Sequence, residues 1–303
     1  MRTSARSRAR SARAFVAIAA LFMAGATFAA EVPRVPAVNA RLEAHIPGKF
    51  IWFDCVTDDP YASKAFYGAL FGWDFHSIGD GASRYTLIEN RGRNIGGLHF
   101  RPRGDTQARG SRWISLMSVA DPAQAARYVE ARGGKVVVAP TPFAGRGTHA
   151  LFRDDDGALF GVLKSDTGDP PDRPVTAGEF LWVDLFTRDP AKAAEFYRGL
   201  AAFEVAVKGS APAIVRVVLA TGGVARASLI TLPKDAVNPG WLPFVQVDDV
   251  AATVRKAVAL GGTILLAPRP DLLNGHVAVI TDPHGGVLGV VNRNEAAKKG
   301  SAQ

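Results

Sequence analysis

The sequence predicts an α+β protein that contains two tandem copies of one domain. The segment from Trp52 to Tyr67 returns as the segment from Trp182 to Tyr197, with Trp, Asp, Thr, Asp-Pro and Phe-Tyr at the same spacing. In both copies an alternating, β-rich run leads into apolar residues at helical spacing. A repeat of this kind indicates that one folded unit is built twice.

Each copy is itself predicted to contain two similar modules. Proline near the start of a helical pattern and Gly-Gly after its end mark the helices, and β-branched or aromatic runs between turn residues mark the strands. The predicted order of the first copy is strand 50–57, helix 60–71, strands 85–89 and 95–100, then strand 113–119, helix 122–132 and strands 136–139, 149–153 and 159–163. A strand-helix-strands module therefore occurs twice in this copy.

The second copy repeats this order. It is predicted as strand 180–186, helix 190–200, strands 214–220, 225–232 and 241–247, helix 250–260 and three final strands. The stretch 166–176 between the copies is rich in Pro, Gly and Asp, which is typical of a linker. We therefore expect a first domain at 47–165, a second domain at 177–293 and a tail at 294–303, with the two domains paired within the chain.

The first 29 residues have the pattern of a secretory signal peptide. Five arginines precede an apolar run from Phe15 to Phe28, and small residues follow at Ala29 and Ala30. The run is shorter than the roughly 20 residues that a bilayer-spanning helix needs, which disfavours the alternative of a retained membrane anchor. We expect cleavage after Ala29, a mature protein without a membrane segment, and a secreted or periplasmic location.

Charge and cysteine content narrow the function further. The formal net charge is +8, but the arginines of the leader supply much of it, and the body contains no basic block with interleaved aromatic residues. A nucleic-acid partner is therefore not expected. The chain has one cysteine, Cys55, so no disulfide can form within it and its stability must come from packing.

Several repeated motifs resemble those of the vicinal oxygen chelate superfamily, which contains glyoxalase I, bleomycin resistance proteins and extradiol dioxygenases. The motifs are Asp59-Pro60 with the following Phe66-Tyr67, their counterparts in the second copy, and the Asp-x-x-Gly turns that begin at Asp154 and Asp282. The resemblance covers residues 47–293, and the double-domain layout is similar to members named as antigens or hydroxylases. It implies paired βαβββ modules whose sheets curl around a cavity.

The resemblance also implies where metal-dependent relatives carry their ligands. Three of those positions are filled by residues without a metal donor, namely Trp52, Ile114 and Gly161 in the first copy and Trp182, Leu242 and Gly289 in the second. Divalent metals need several N, O or S donors on converging side chains. We therefore expect no metal and no cofactor of the family type. His99 is the candidate for a fourth position, but Leu229 stands at the matching offset of the second copy.

A Trp-x-Asp pair on the first strand of each copy is the candidate ligand site. Because side chains alternate along a strand, Trp52 shares a face with Asp54, and Trp182 shares a face with Asp184. An aromatic ring beside a carboxylate suits an amine, a cation or a hydrogen-bonding ligand. The alternative is structural: Trp fills the space of the missing metal, and Asp pairs with an arginine or with backbone amides.

Two histidines, His99 and His276, complete the candidate cavity residues. His276, like His149 of the first copy, is either a general base or a histidine hydrogen-bonded to backbone. The sequence favours a protein that binds a small organic molecule without catalysis, as drug-resistance members of the family do. The alternative is an enzyme, either a metal-free isomerase or lyase with Asp54, Asp184 or a histidine as base, or a lyase, isomerase or dioxygenase with a metal-dependent site. In a third interpretation the second copy only completes a pseudo-dimer.

Overall fold

The computed structural model describes residues 45–78, 85–102, 110–143, 145–211, 214–232 and 238–293. The predicted signal peptide at 1–29 and the tail at 294–303 lie outside the described residues. Within the described part of the chain, no helix has both the length and the apolar character that crossing a bilayer requires.

The first half of the chain forms one eight-stranded sheet with two helices. Its elements are β1 (Phe50–Thr57), α1 (Pro60–Phe71), β2 (Asp74–Ile78), β3 (Tyr85–Asn90), β4 (Arg93–Phe100), β5 (Ser111–Ser118), α2 (Pro122–Ala131), β6 (Lys135–Phe143), β7 (Gly147–Arg153) and β8 (Leu159–Ser165). The strands lie in the order β2-β3-β4-β1-β5-β8-β7-β6. Strand β1 runs parallel to β4 and antiparallel to β5, so the two modules meet at the centre of the sheet.

The second half repeats this arrangement. Its elements are β9 (Phe180–Thr187), α3 (Pro190–Ala201), β10 (Glu204–Ala211), β11 (Ile214–Thr221), β12 (Val224–Thr231), β13 (Gly240–Gln246), α4 (Val250–Ala259), β14 (Thr263–Leu266), β15 (Val277–Thr281) and β16 (Val287–Val291). The order β10-β11-β12-β9-β13-β16-β15-β14 matches that of the first sheet strand for strand. The predicted α+β fold of two similar domains is confirmed.

Two strands that the sequence did not predict are β2 and β10, which lie at the edges of the two sheets. Most side chains of β2 are exposed, as are those described at the start of β10. An exposed edge strand lacks the alternation of buried and polar residues that marks a strand in the sequence.

The repeated aspartates before the helices are N-caps. The carboxylates of Asp59, Asp121, Asp189 and Asp249 each accept a hydrogen bond from a backbone N–H in the first turn of the helix that follows. Such a cap stabilises a helix by about 1 kcal/mol. The Asp-Pro repeat thus marks a helix start.

The first sheet curls strongly. In its strand order, five strands separate β3 from β6, which would place them roughly 29 Å apart in a flat sheet. The ring centroids of Tyr85 on β3 and Phe143 on β6 nevertheless lie 5.3 Å apart. The two ends of the sheet therefore face each other across a concave side, whose apolar cluster includes Trp52, Leu116 and Leu163.

The convex sides, with the helices, share one apolar core that contains residues of both domains. At its centre the rings of Phe53 and Phe180 stack with centroids 3.9 Å apart. Trp73 and Trp113 also pack against Phe180. These contacts bury aromatic residues of the first copy against one of the second.

Buried hydrogen bonds cross between the domains in a two-fold repeated pattern. The Tyr67 hydroxyl donates to Asp282 Oδ2 at 3.0 Å and accepts from Trp113 Nε1 at 2.8 Å. In the repeat, the Tyr197 hydroxyl donates to Asp154 Oδ2 at 2.9 Å and accepts from Trp241 Nε1 at 2.9 Å. The Phe-Tyr motifs and the Asp-x-x-Gly turns, which carry the family resemblance, therefore meet in the contact between domains.

A contact between an acidic and a basic side chain repeats in the same region, with the two roles exchanged between equivalent positions. Asp58 of the first domain faces His284 of the second, with 3.3 Å between Oδ1 and Nδ1. At the equivalent place, Arg188 of the second domain pairs with Asp156 of the first, with 2.5 Å between Nη1 and Oδ1. The acid comes from the first domain in both contacts.

Candidate functional site

A β-bulge brings Trp and Asp onto the concave face of each sheet. The register of β1 against β5 shifts between Phe50 and Trp52, and that of β9 against β13 shifts between Phe180 and Trp182. Phe50 consequently packs on Trp241 in the shared core, whereas Ile51 and Trp52 both join the concave cluster of the first domain. Bulges of this kind re-aim side chains next to functional sites.

In the first domain, Asp54 is the centre of a buried hydrogen-bond network. Its Oδ1 accepts from Trp52 Nε1 at 2.9 Å and from the Tyr85 hydroxyl at 2.7 Å. Arg146 Nη1 donates to Asp54 Oδ2 at 3.1 Å and to the Tyr85 hydroxyl at 3.2 Å. Asp54 is 5% exposed and Arg146 is 3% exposed, so this is an ion pair removed from water.

Arg146 reaches this network from the turn between β6 and β7. Its guanidinium carbon lies 4.8 Å from the ring centroid of Phe143, 5.6 Å from that of Trp52 and 5.8 Å from that of Tyr85. Burial alone would raise the pKa of Asp54, but the positive charge of Arg146 and the hydrogen bonds from Arg146 and Tyr85 hold it well below its ordinary value. Asp54 is therefore an ionised carboxylate in neutral solution.

Two histidines border the network. His99 Nε2 lies 3.4 Å from Asp54 Oδ2, and the His99 side chain is 34% exposed. His149 lies near Phe143, with ring centroids 5.9 Å apart. Burial and the charge of Arg146 lower the pKa of His149 to about 3, so its imidazole is neutral at physiological pH.

Gly97 makes room for this arrangement. Gly97 pairs with Asp54 across β4 and β1. A Cβ atom at this position would lie 1.8 Å from the Tyr85 hydroxyl oxygen. Tyr85 can therefore cross over β4 to reach Asp54 only because residue 97 has no side chain.

In the second domain, Asp184 has a different set of partners. Trp182 Nε1 donates to Asp184 Oδ1 at 2.8 Å, as in the first domain. Arg216 Nη2 lies 3.6 Å from Asp184 Oδ1, and Arg216 Nε donates to Ser228 Oγ at 3.0 Å. The guanidinium carbon of Arg293 lies 4.6 Å from the Trp182 ring centroid.

Burial raises the pKa of Asp184, against the opposing effects of Arg216 and of the hydrogen bond from Trp182. The pKa of Asp54 is shifted in the opposite direction. Arg146 of the first domain forms a direct hydrogen bond with its carboxylate, whereas Arg216 remains 3.6 Å away. The carboxyl group of the second domain is thus the easier of the two to protonate.

Strand pairing gives the true counterparts of the site residues. Tyr85 pairs with His99, and Arg216 pairs with Ile230. His99 and Ile230 pair with equivalent residues of β1 and β9. Ile230 is therefore the counterpart of His99. The sequence offset, which pointed to Leu229, was wrong by one residue. Arg216 accordingly occupies the place of Tyr85.

His276 stands apart from the Trp-Asp pair of the second domain. It directly precedes β15, and Val277, the next residue, belongs to the concave apolar cluster. Its Nε2 is buried and forms no hydrogen bond within the described residues. The strand pairing makes Val277 the counterpart of His149. The histidine that borders the carboxylate network in the first domain is therefore replaced by a valine in the second.

The positions where metal-dependent relatives carry ligands do not fit a metal in this chain. Trp52 uses its single donor on Asp54 and Tyr85, and Ile114 is part of the apolar cluster. A Cβ atom at Gly161 would lie 2.7 Å from Leu116, and one at Gly289 would lie 2.1 Å from the Phe244 ring, so neither place has room for a side chain. Among the described residues, no three His, Cys, Asp or Glu side chains are grouped so that they could hold a metal ion.

Several site residues could not be found from the sequence. Tyr85, Arg146, Arg216 and Arg293 contact the predicted Trp-Asp pairs, but none of them stands at a repeated position occupied by the same residue type. The internal repeat, which was the strongest signal, therefore did not mark them.

Comparison with known proteins supports one assignment. The sequence model of the Glyoxalase/Bleomycin resistance protein/Dioxygenase superfamily matches residues 49–162 and 179–289. The anthracycline biosynthesis protein DauV of Streptomyces sp. (strain C5) is 32% identical over 265 residues, which cover 82% of this chain and 95% of DauV. The anthracycline biosynthesis protein DnrV of Streptomyces peucetius is 31% identical over 265 residues, covering 82% and 94%.

A solved structure agrees at the level of the fold. The Mn(II)-bound glyoxalase from Novosphingobium aromaticivorans superimposes with a TM-score of 0.54 at 18% sequence identity, covering 81% of this chain and 82% of that one. Since the family model matches both domains and most of the chain, the protein belongs to the glyoxalase, bleomycin resistance protein and dioxygenase superfamily, the vicinal oxygen chelate group that its motifs resemble.

Proposed function

We propose that this protein is exported and binds a small organic molecule on a concave sheet face, using side chains in place of the family metal. The observation that carries the proposal is the exposed arginine against the Trp-Asp pair of the second domain. Arg293 stacks on Trp182 there, whereas Arg146, near Trp52 in the first domain, is buried and paired with Asp54. A guanidinium group supplies positive charge and hydrogen-bond donors to a ligand without metal coordination.

The named relatives suggest which ligands to test. DauV and DnrV are named for anthracycline biosynthesis. Anthracyclines are aromatic compounds, and the concave apolar cluster of the second domain contains the rings of Phe244, Phe186 and Trp182. Aromatic small molecules are therefore the first class to examine for this chain.

Binding can be tested by thermal shift of the mature protein against aromatic acids, amines and quinones. A ligand that binds the folded state alone stabilises it by RT ln(1 + [L]/Kd) and therefore raises Tm. Asp54→Asn and Asp184→Asn report whether the carboxylates take part. If both variants fold and bind as the unchanged protein does, the proposed role of the Trp-Asp pairs is wrong.

The metal-free part of the proposal has its own test. Elemental analysis of protein purified without chelators should find well under one equivalent of Zn, Ni, Fe or Mn. About one equivalent of any of these, lost together with ligand binding on dialysis against EDTA, would contradict it. Export is tested separately by fractionating the cells and measuring the mass of the mature chain, which should begin after Ala29.

A second candidate function is proton transfer in the first domain. Asp54 is buried and ionised, and it holds His99, whose imidazole is one-third exposed, at 3.4 Å. A carboxylate behind a histidine orients the ring and stabilises its protonated form, which suits a general base. If this function holds, His99→Gln should abolish turnover of an isomerase or lyase substrate while ligand affinity changes little.

A further inference from the structure

The two concave faces differ in how far they are open. In the first domain Trp52 is 1% exposed, and Tyr85 and Arg146 are equally inaccessible. In the second domain Trp182 is only partly buried, Arg293 is exposed, and the Arg216 side chain is 40% exposed. The equivalent Trp-Asp pair is thus covered in one domain and accessible in the other.

The first domain closes its face with its own side chains. Phe143 contacts both Tyr85 and His99, with ring centroids 5.3 Å and 6.3 Å apart. Arg146 lies within this aromatic set and neutralises Asp54. A ligand that entered here would have to displace a buried ion pair and leave Asp54 without its partner, which is strongly unfavourable.

Two arginines flank the Trp-Asp pair of the second domain. Arg216 Nη2 lies 3.6 Å from Asp184 Oδ1, and the guanidinium carbon of Arg293 lies 4.6 Å from the ring centroid of Trp182, whose Nε1 donates to the same Oδ1. Among the described side chains of this group, two positive charges therefore accompany one carboxylate. An anion placed between the arginines would balance the extra positive charge and accept charge-assisted hydrogen bonds.

An apolar surface lies beside these arginines. Leu242, Phe244, Val279 and Val291 form its buried part, and partly buried side chains including Leu181, Phe186 and Val277 border it. A flat hydrocarbon body can pack on such a surface while an acidic group at its edge reaches the arginines.

We propose that the second domain, and not the first, holds the ligand, and that the ligand is a planar aromatic anion whose acidic group is bound by Arg216 and Arg293 while its ring packs on the apolar cluster around Phe244. This inference rests on the proposed function, since it names the ligand class and the domain for the same small-molecule site.

The test uses 2-naphthoate and its uncharged analogue 2-naphthamide, measured by isothermal titration calorimetry on the mature protein. 2-Naphthoate should bind at least tenfold more tightly than 2-naphthamide, and Arg216→Gln and Arg293→Gln should each weaken it about tenfold or more. Arg198→Gln is the matched control, because it removes an exposed arginine that pairs with Glu195 on α3 of the same domain. It should leave the affinity unchanged.

Hydrogen–deuterium exchange with saturating 2-naphthoate then locates the ligand. We expect added protection in peptides from β9, β11 and β16, and none in peptides from β1 and β3. Protection confined to β1 and β3, or equal binding of the acid and the amide, would overturn this inference and leave the proposed function standing. Failure of both compounds to bind, with no hit in the wider thermal-shift panel, would count against both.

Discussion

Replacing Arg146 by methionine removes the positive charge that faces Asp54 in the first domain. Methionine keeps the apolar part of the contact with the surrounding aromatic rings, but the buried carboxylate loses its cationic partner. Removing one member of a buried ion pair costs about 3–5 kcal/mol of unfolding free energy. At roughly 2–4 °C per kcal/mol for a chain of this size class, Tm should fall on the order of 10 °C.

The pH dependence of this loss distinguishes a broken ion pair from simple loss of packing. In the unchanged protein the pKa of Asp54 lies below its unfolded value, so ionisation stabilises the fold above about pH 4, and this stabilisation is lost as pH falls through the folded pKa. Without Arg146, burial dominates and the pKa of Asp54 rises above its unfolded value, so stability falls as pH increases above about pH 4. The loss of unfolding free energy caused by Arg146→Met should therefore grow between about pH 4.5 and pH 7.

Urea titration of Arg146→Met, Asp54→Asn and the double variant measures the change in unfolding free energy that each substitution causes. The double variant should be more stable at pH 7 than the sum of the two single losses predicts, because neither charge is then left unpaired. Arg198→Met, which alters an exposed arginine, should change stability by less than about 0.5 kcal/mol. The reasoning would be refuted if Arg146→Met lost less than about 1 kcal/mol of unfolding free energy. It would also be refuted if the loss were equal at about pH 4.5 and pH 7.

Four further outcomes are expected. Tyr67→Phe and Tyr197→Phe should each lower the free energy of unfolding by about 1–3 kcal/mol in urea titrations, because a buried carboxylate of the other domain loses a hydrogen-bond donor. A variant as stable as the unchanged protein would mean that its hydrogen bond between the domains contributes nothing. A carboxyl ¹³C NMR titration should give Asp154 a pKa of about 6, raised by burial, and a value below 4 would contradict this. Gly97→Ala should reduce Tm by several degrees, since the methyl group would overlap the hydroxyl of the tyrosine that crosses it. Cys55 is buried with a raised pKa, so in contrast to the urea-unfolded chain the native protein should not react with maleimide at pH 7.

The sequence could predict features that depend on neighbouring residues. Pro60 and the cap at Asp59 define the start of a helix locally, and that helix has the predicted bounds. The alternation that placed Trp52 and Asp54 on one face also holds, because the bulge lies before Trp52 and leaves the pairing from Trp52 onward regular.

Features that depend on distant residues could not be predicted in the same way. Arg146 stands 92 positions after Asp54 and reaches it only because the sheet curls. Tyr67 and Asp282 are 215 positions apart, and each reads in the sequence as part of a local motif. Since periodicity and capping report on short spans of chain, neither contact leaves a signal that they can detect.

The comparison of the two domains shows what each Trp-Asp pair requires. Arg146 comes from a turn between β6 and β7, whereas Arg293 follows the end of β16, a place that Ser165 occupies in the first domain. Both domains place a cation near the tryptophan, but they supply it from different positions.

The contact between the domains follows the same rule, because His284 and Arg188 stand at non-equivalent positions and each faces an aspartate of the first domain. A buried or half-buried carboxylate needs an opposite charge or hydrogen-bond donors within reach, and any strand end or turn that can deliver them satisfies that need. Site residues in such a tandem protein are therefore better sought by asking what can reach the carboxylate in three dimensions than by matching one copy to the other.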